Sequence, residues 1–293
     1  MGEVLSEDAL QGADTRAPQI EQKLGKLLLD AGKLNAHDAE RVLRLQKSEG
    51  LRFGDAAIKL GLVKESDIQQ ALAQQFDYPY LAAGVGGLSP TLVAAYQPFT
   101  AQVEQLRALR SQLMLRWFGL GNKSLAIVGV GADSGGSDLV ANLAVVFSQL
   151  GERTLLIDAD LRKPTQHQIF SFGNRAGLSD ILIGRADHSA VVRVEPLIGL
   201  SVLTSGAVPP NPSELLSRAA FRSLLQVYQE QFDVILINSS STAISDAIPV
   251  CSHSGGAVLV ARQDVTAMKD LNALINASRE TGTTLVGTVL NRF

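Results

Sequence analysis

SLAIVGVGADSGGSDLVANLA, residues 124–144, is the stretch on which the reading of this chain turns. Leu125 to Val128 form an unbroken apolar run rich in branched side chains, as a strand covered on both faces requires. Gly129, Gly131, Gly135 and Gly136 follow, and then Leu139, Val140, Leu143 and Ala144 recur at helical spacing. The order predicted is strand, glycine-rich loop, helix. Such a loop cradles phosphate because successive backbone N–H groups and a helix start converge on anionic oxygens. A lysine normally adds charge there, and a Ser or Thr hydroxyl reaches a magnesium ion. Counting back six from Asn142, the lysine position holds Gly136, and Ser137 takes the hydroxyl position. Asp138 follows, a charge that suits the helix dipole and repels a triphosphate.

Working outward, RTLLIDAD (153–160), LSVLTSG (200–206), DVILINSS (233–240), GGAVLVAR (255–262) and TLVGTVLN (284–291) are further short apolar runs separated by helical stretches. Near-continuous apolar strands alternating with helices predict an α/β domain with a parallel sheet covered on both faces. A helix is expected from about Ala101 to Trp117. The second strand ends in Asp158 and Asp160 with Arg162 just beyond, and the DVILINSS strand ends in Asn238 and a serine run. Ser239 to Ser241 near Asp246 have neither a G-x-S-x-G elbow nor a placed histidine, so they read as loop serines.

The first 80 residues are of another kind. KLGKLLLDAGKLNAHDAERVLRLQ (23–46) and RFGDAAIKLGLVKESDIQQALAQQ (52–75) are two copies of one unit separated by KSEGL, a period of 29. Lys23 matches Arg52, Leu24 matches Phe53, Gly25 matches Gly54, Leu28 matches Ala57, Gly32 matches Gly61 and Gln46 matches Gln75. Each copy reads as a short helix, a glycine stop and a second helix. Residues 1–22 read as a disordered tail, 23–80 as the repeat domain, 81–100 as a Gly- and Pro-containing linker, and 101–293 as the α/β domain.

Composition narrows the function. At 46% hydrophobic and 19% charged, the chain has enough apolar surface to fold. A net charge of −3 supplies no basic field for nucleic acid. One cysteine, Cys251, and four histidines without paired spacing point away from disulfides and zinc. No signal peptide or spanning segment is read, so a cytoplasmic location is expected.

LLIDADLRKP resembles the second carboxylate motif of bacterial tyrosine kinases, a branch of the MinD and ParA group of P-loop ATPases. SGAVPPNPSELL (205–216) resembles their linking motif and GTVLN (287–291) their closing strand near the adenine pocket. EQLRALR, with Glu104, Arg107 and Arg110, resembles their E-x-x-R-x-x-R subunit-contact motif. The resemblance implies a P-loop NTPase-like fold and nucleotide contacts at Gly135, Gly136, Ser137, Asp158, Asp160, Arg162 and Asn291. It implies magnesium contacts at Ser137 and Asp158 if ATP binds, and self-association through Glu104, Arg107 and Arg110. Two departures weigh against catalysis and against tight ATP or ADP binding with magnesium. Gly136 removes the cation, and Asn238 stands where the family has a carboxylate. Phosphoryl transfer depends almost wholly on positioning and electrostatics, and one such loss costs about 3–4 kcal/mol of barrier. The family's tyrosine-rich tail is also not read here.

The 24-5-24 repeat resembles the MshE N-terminal type of domain, which binds cyclic di-GMP. That resemblance implies ligand contacts at Lys23, Leu24, Gly25, Leu28, Gly32, Gln46, Arg52, Phe53, Gly54, Gly61 and Gln75. A two-fold dinucleotide suits two similar lobes. Lys23 in place of Arg keeps charge but loses the planar fork. The alternative is a helical docking domain whose glycines and leucines are structural. Taken together, the readings are a cyclic di-GMP-binding regulatory subunit of exopolysaccharide biosynthesis and export, or an active kinase or ATPase in which Arg162, Lys163 or a neighbouring Arg replaces the missing cation. Either would sit at the inner membrane through the cytoplasmic segment of a membrane chain-length regulator.

Overall fold

A computed structural model describes residues 17–75, 80–81, 84–240 and 242–292. It divides into two units, residues 1–79 and 80–293.

Among the described residues the first unit contains four helices, α1 (Ala17–Asp30), α2 (Ala36–Glu49), α3 (Phe53–Lys59) and α4 (Glu65–Gln75). Each copy of the repeat is a helix pair turned by a left-handed glycine, Gly32 (φ 66°) and Gly61 (φ 67°), where a side chain would be strained. Asn35 caps α2 by accepting from the Asp38 N–H at 2.8 Å. The second helix of each copy packs mainly on the first helix of the other, α4 on α1 and α2 on α3. The two halves therefore share one core, in which Leu24, Leu28, Val42, Phe53, Ala56 and Ala57 are buried. Neither copy closes a core alone. The helix α1 begins at Ala17, so residues 17–22 are helical where a tail was expected, because the helical pattern starts before the repeat.

The second unit is a seven-stranded sheet in the order β3-β4-β2-β5-β1-β6-β7. Its strands are β1 (Ser124–Gly129), β2 (Thr154–Asp158), β3 (Val192–Arg193), β4 (Leu200–Leu203), β5 (Val234–Ser240), β6 (Gly256–Arg262) and β7 (Thr284–Asn291). All pairings are parallel except the short β3 on β4. Its helices are α5 (Val93–Tyr96), α6 (Ala101–Arg116), α7 (Gly136–Ser148), α8 (Gln166–Ile169), α9 (Leu178–Leu182), α10 (Pro212–Leu216), α11 (Ala219–Gln231), α12 (Ile244–Ser254) and α13 (Met268–Glu280). One apolar cluster lies under α6 and α7 and a second under α11 and α12, so the sheet is covered on both faces as the apolar strands require.

Residues 84–100 are not a free linker. Leu92, Ala94 and Ala95 are buried. Asn142 on α7 accepts from the Ala94 N–H at 2.9 Å and donates to Thr91 O at 2.8 Å, and Gln149 donates to Ala94 O at 3.0 Å. The glycine and proline content suggested a linker because the two amide side chains that hold this segment carry no signal in the sequence.

Candidate phosphate-loop site

The strands β1, β2 and β5 are neighbours, and their carboxyl ends bring the loop after β1, Asp158 and Asn238 together. The loop bends through left-handed Gly131 (φ 77°), Asp133 (φ 55°) and Gly135 (φ 74°) before α7 starts. A Cβ on Gly136 would lie 3.0 Å from the Cα of Gly129, so the loop closes tightly where the lysine of a working loop would stand. Three residues that the sequence did not single out brace it. Arg262 donates to Asp133 O at 3.2 Å, and Thr266 donates to Val130 O at 3.2 Å. Gln166 on α8 donates its side-chain amide to Ser137 O at 3.1 Å and its backbone N–H to Asp158 Oδ2 at 3.0 Å. Asn291 donates to Ser134 O at 3.1 Å and lies against Gly135. The cavity beside it, about 790 Å³, is lined by Gly135, Asp138, Asn291 and residues of α6.

Asp158 is fully buried and accepts from Asn238 Nδ2 at 2.9 Å and from the backbone N–H groups of Thr165 (3.1 Å), Gln166 (3.0 Å) and Asp160 (3.3 Å). Burial outweighs these donors and pushes its carboxyl up to about 6. The carboxyl of Asp160 is also raised, mainly by burial, and it accepts from the backbone N–H groups of Lys163 (2.9 Å) and Arg162 (3.3 Å).

The amide of Asn238 bridges the site. Its Nδ2 donates to Asp158 Oδ1 and approaches Ser137 Oγ at 3.4 Å, while its Oδ1 is buried without a hydrogen-bond partner. The amide nitrogen therefore stands between the two oxygens that would share a magnesium ion. Facing a carboxylate, the amide can present only its N–H₂ group. As arranged, these residues do not fit a divalent cation.

Arg162 does not replace the missing lysine. Its guanidinium forms a two-pronged pair with Asp246 on α12, a residue only 7% exposed, 84 positions away in sequence. Among the described residues Lys163 has no ion-pair partner and is exposed. On α6, the exposed Glu104 pairs with Arg107, whose side chain is only 17% exposed. Arg110 instead turns inward to donate to Val146 O at 2.7 Å.

In the first unit, Leu24, Leu28 and Phe53 are core residues, and Gly25 and Gly54 are close-contact positions. A Cβ on Gly25 would lie 3.2 Å from the Phe53 ring, and one on Gly54 would lie 3.3 Å from Ile68. Arg52 is exposed at the start of α3, and Gln46 is half-buried on α2. The side chains of Lys23 and Gln75 lie outside the described residues, as does Ser241.

The sheet order, the loop after β1 and the two strand-end residues beside it define a P-loop NTPase-like α/β fold. MinD from Pyrococcus horikoshii, solved with Mg-ADP, shares that fold at 21% identity and a TM-score of 0.52. No known family profile matches the chain. Individual proteins do. The chain is 33% identical to the tyrosine-kinase-type protein CapB of Staphylococcus aureus over 197 residues, 67% of this chain and 86% of CapB. It is 34% identical over 200 residues to the tyrosine-protein kinase Etk of Escherichia coli K12, 68% of this chain and 28% of Etk. It thus spans little more than a quarter of that relative's length. The solved kinase domain of Escherichia coli Etk superimposes with a TM-score of 0.65 at 34% identity, covering 68% of this chain and 79% of that domain. The chain belongs to the bacterial tyrosine-protein kinase family. Among the described residues, no helix is long and apolar enough to cross a membrane.

Proposed function

We propose that this chain is a regulatory member of that family, acting in exopolysaccharide biosynthesis and export. Its repeat unit binds cyclic di-GMP, and its α/β unit, weak or inactive in phosphoryl transfer, docks on the cytoplasmic segment of a membrane chain-length regulator. The observation that carries the reading is the Asn238 amide lodged between Ser137 and Asp158, beside a loop whose lysine position is Gly136. Without that lysine a triphosphate loses a charge-assisted interaction of about 1.5–3 kcal/mol. Loop N–H groups are left to hold ATP or ADP.

The repeat supports the ligand reading through its cross-packed, two-fold-like arrangement and through exposed Arg52. Its buried leucines and Phe53 act as scaffold for the ligand face. In this reading the charge at 52 pairs with phosphate or a guanine edge. The partner and the membrane-peripheral location are inferred from the family resemblance alone.

Calorimetric titration of the full chain with cyclic di-GMP tests the first half. Saturable heat at micromolar ligand is expected, weakened about tenfold or more by Arg52→Ala. Absence of heat assigns the repeat to docking. Incubation with labelled ATP and magnesium tests the second half. Transfer to a protein acceptor, lost in Asp158→Ala, would make the chain a working kinase and overturn the regulatory reading.

A further inference from the structure

The two edges of the sheet differ. β3 is two residues long and carries Arg193, the short, charged kind of edge that resists further pairing. β7 runs for eight residues, Thr284–Asn291, contains neither charge nor proline, and is exposed or half-exposed throughout. Among the described residues nothing pairs with its outer side.

The backbone groups that face outward can be read from the bonds at its two ends. Thr284 N–H donates to Gly255 O at 2.9 Å, and Asn291 O accepts from Gln263 N–H at 2.9 Å, so both residues point toward β6. Between them the register shifts by one, since Leu285 faces Ala257 whereas Gly287 faces Val258, leaving Val286 as a bulge. Alternation resumes beyond it. Gly287 and Val289 therefore also point toward β6, and Leu285, Thr288 and Leu290 direct their N–H and C=O groups to the free edge. Because the bulge absorbs one residue, these three form evenly stepped ladder positions despite their unequal sequence spacing.

That set is complementary to itself when reversed. We propose that β7 pairs antiparallel with β7 of a second copy of this chain, about a two-fold axis through Thr288. Leu285 then lies opposite the other copy's Leu290 and Thr288 opposite itself as hydrogen-bonded pairs. Thr284 with Asn291 and Gly287 with Val289 fill the steps between. Leucine meets leucine, and the uncharged strand brings no like charges together. Arg292, exposed just past the strand, arrives at the end of the other copy's β7 that follows the exposed Glu280.

Sedimentation velocity on the full chain should find a concentration-dependent dimer. Thr288→Pro removes an outward N–H and leaves every bond to β6, so it should abolish the dimer without lowering the melting temperature measured at dilutions where the native chain is monomeric. Gly287→Pro removes an inward N–H and should lower the melting temperature, which checks the assignment of the two sides independently. Thr288→Cys should give a covalent dimer on mild oxidation, because Cα atoms of a hydrogen-bonded pair lie about 5.5 Å apart, within disulfide range. Leu285→Cys should do so only when combined with Leu290→Cys. A monomer at high micromolar concentration overturns the proposal. So does a folded Thr288→Pro variant that still dimerises, or a dimer that Glu104→Ala dissociates instead, since that would place the contact on α6.

Discussion

Replacing Asp158 with Asn isolates the cost of keeping a carboxyl inside this fold. In the native protein its carboxyl is pushed up to about 6 from an ordinary 3.8, chiefly by burial. A separation of about two pH units corresponds to about 3 kcal/mol. Because the folded form holds its proton more tightly than the unfolded form, the stability Asp158 contributes is fully present below pH 3.8. It is lost as pH rises through 6. At neutral pH the fold therefore carries a buried charge it would be more stable without. In the Asp158→Asn variant the new side-chain carbonyl can keep the Thr165 and Gln166 N–H bonds. The new amide nitrogen would face the Asn238 amide, whose orphaned Oδ1 can rotate to accept. The assay is urea denaturation of native and Asp158→Asn chains from pH 4.5 to 7.5. Groups common to both cancel in the difference. The variant should gain about 2 kcal/mol relative to the native chain across that range. A difference that stays flat with pH would show that Asp158 titrates normally, and the account of the buried strand end would fail.

Three further outcomes are expected. Asn238→Asp supplies the missing carboxylate beside Asp158 and Ser137, so millimolar magnesium should raise its melting temperature by a few degrees while leaving the native chain unmoved. Asn142→Ala removes the acceptor of the Ala94 N–H and both donors to the segment and helix, costing about 2–3 kcal/mol. Hydrogen exchange at residues 91–95 should accelerate accordingly, and unchanged protection there would mean that apolar contacts alone hold the segment. Arg162→Ala strips the nearly buried Asp246 of its two-pronged partner. Nearly half of that arginine is solvent-exposed, so chemical denaturation should register a loss well short of that for breaking a fully buried pair.

How much was legible beforehand differs between the fold and the site. The apolar runs at 125–128, 154–157 and 234–237 are buried in neighbouring parallel strands, because a strand covered on both faces has few other ways to be written. The glycine-rich loop was equally plain. The fate of Arg162 was not, since nothing near 162 announces a carboxylate at 246, and Gln166 carries no motif at all. The linker expectation failed for the same reason. Asn142 and Gln149 look like ordinary helix residues until α7 is placed beside residues 91–95.

The sequence by itself determined the duplicated helical unit, the α/β class, and the loss of a lysine at 136 and a carboxylate at 238, for these are matters of local period and residue identity. Tertiary structure alone decided that the two repeats interleave into one core, that the Asn238 amide occupies the gap between Ser137 and Asp158, and that Leu285, Thr288 and Leu290 face an open edge. Periodicity records which side of an element is apolar. Which distant element meets that side depends on strand order and register, and those are set by contacts across the whole chain.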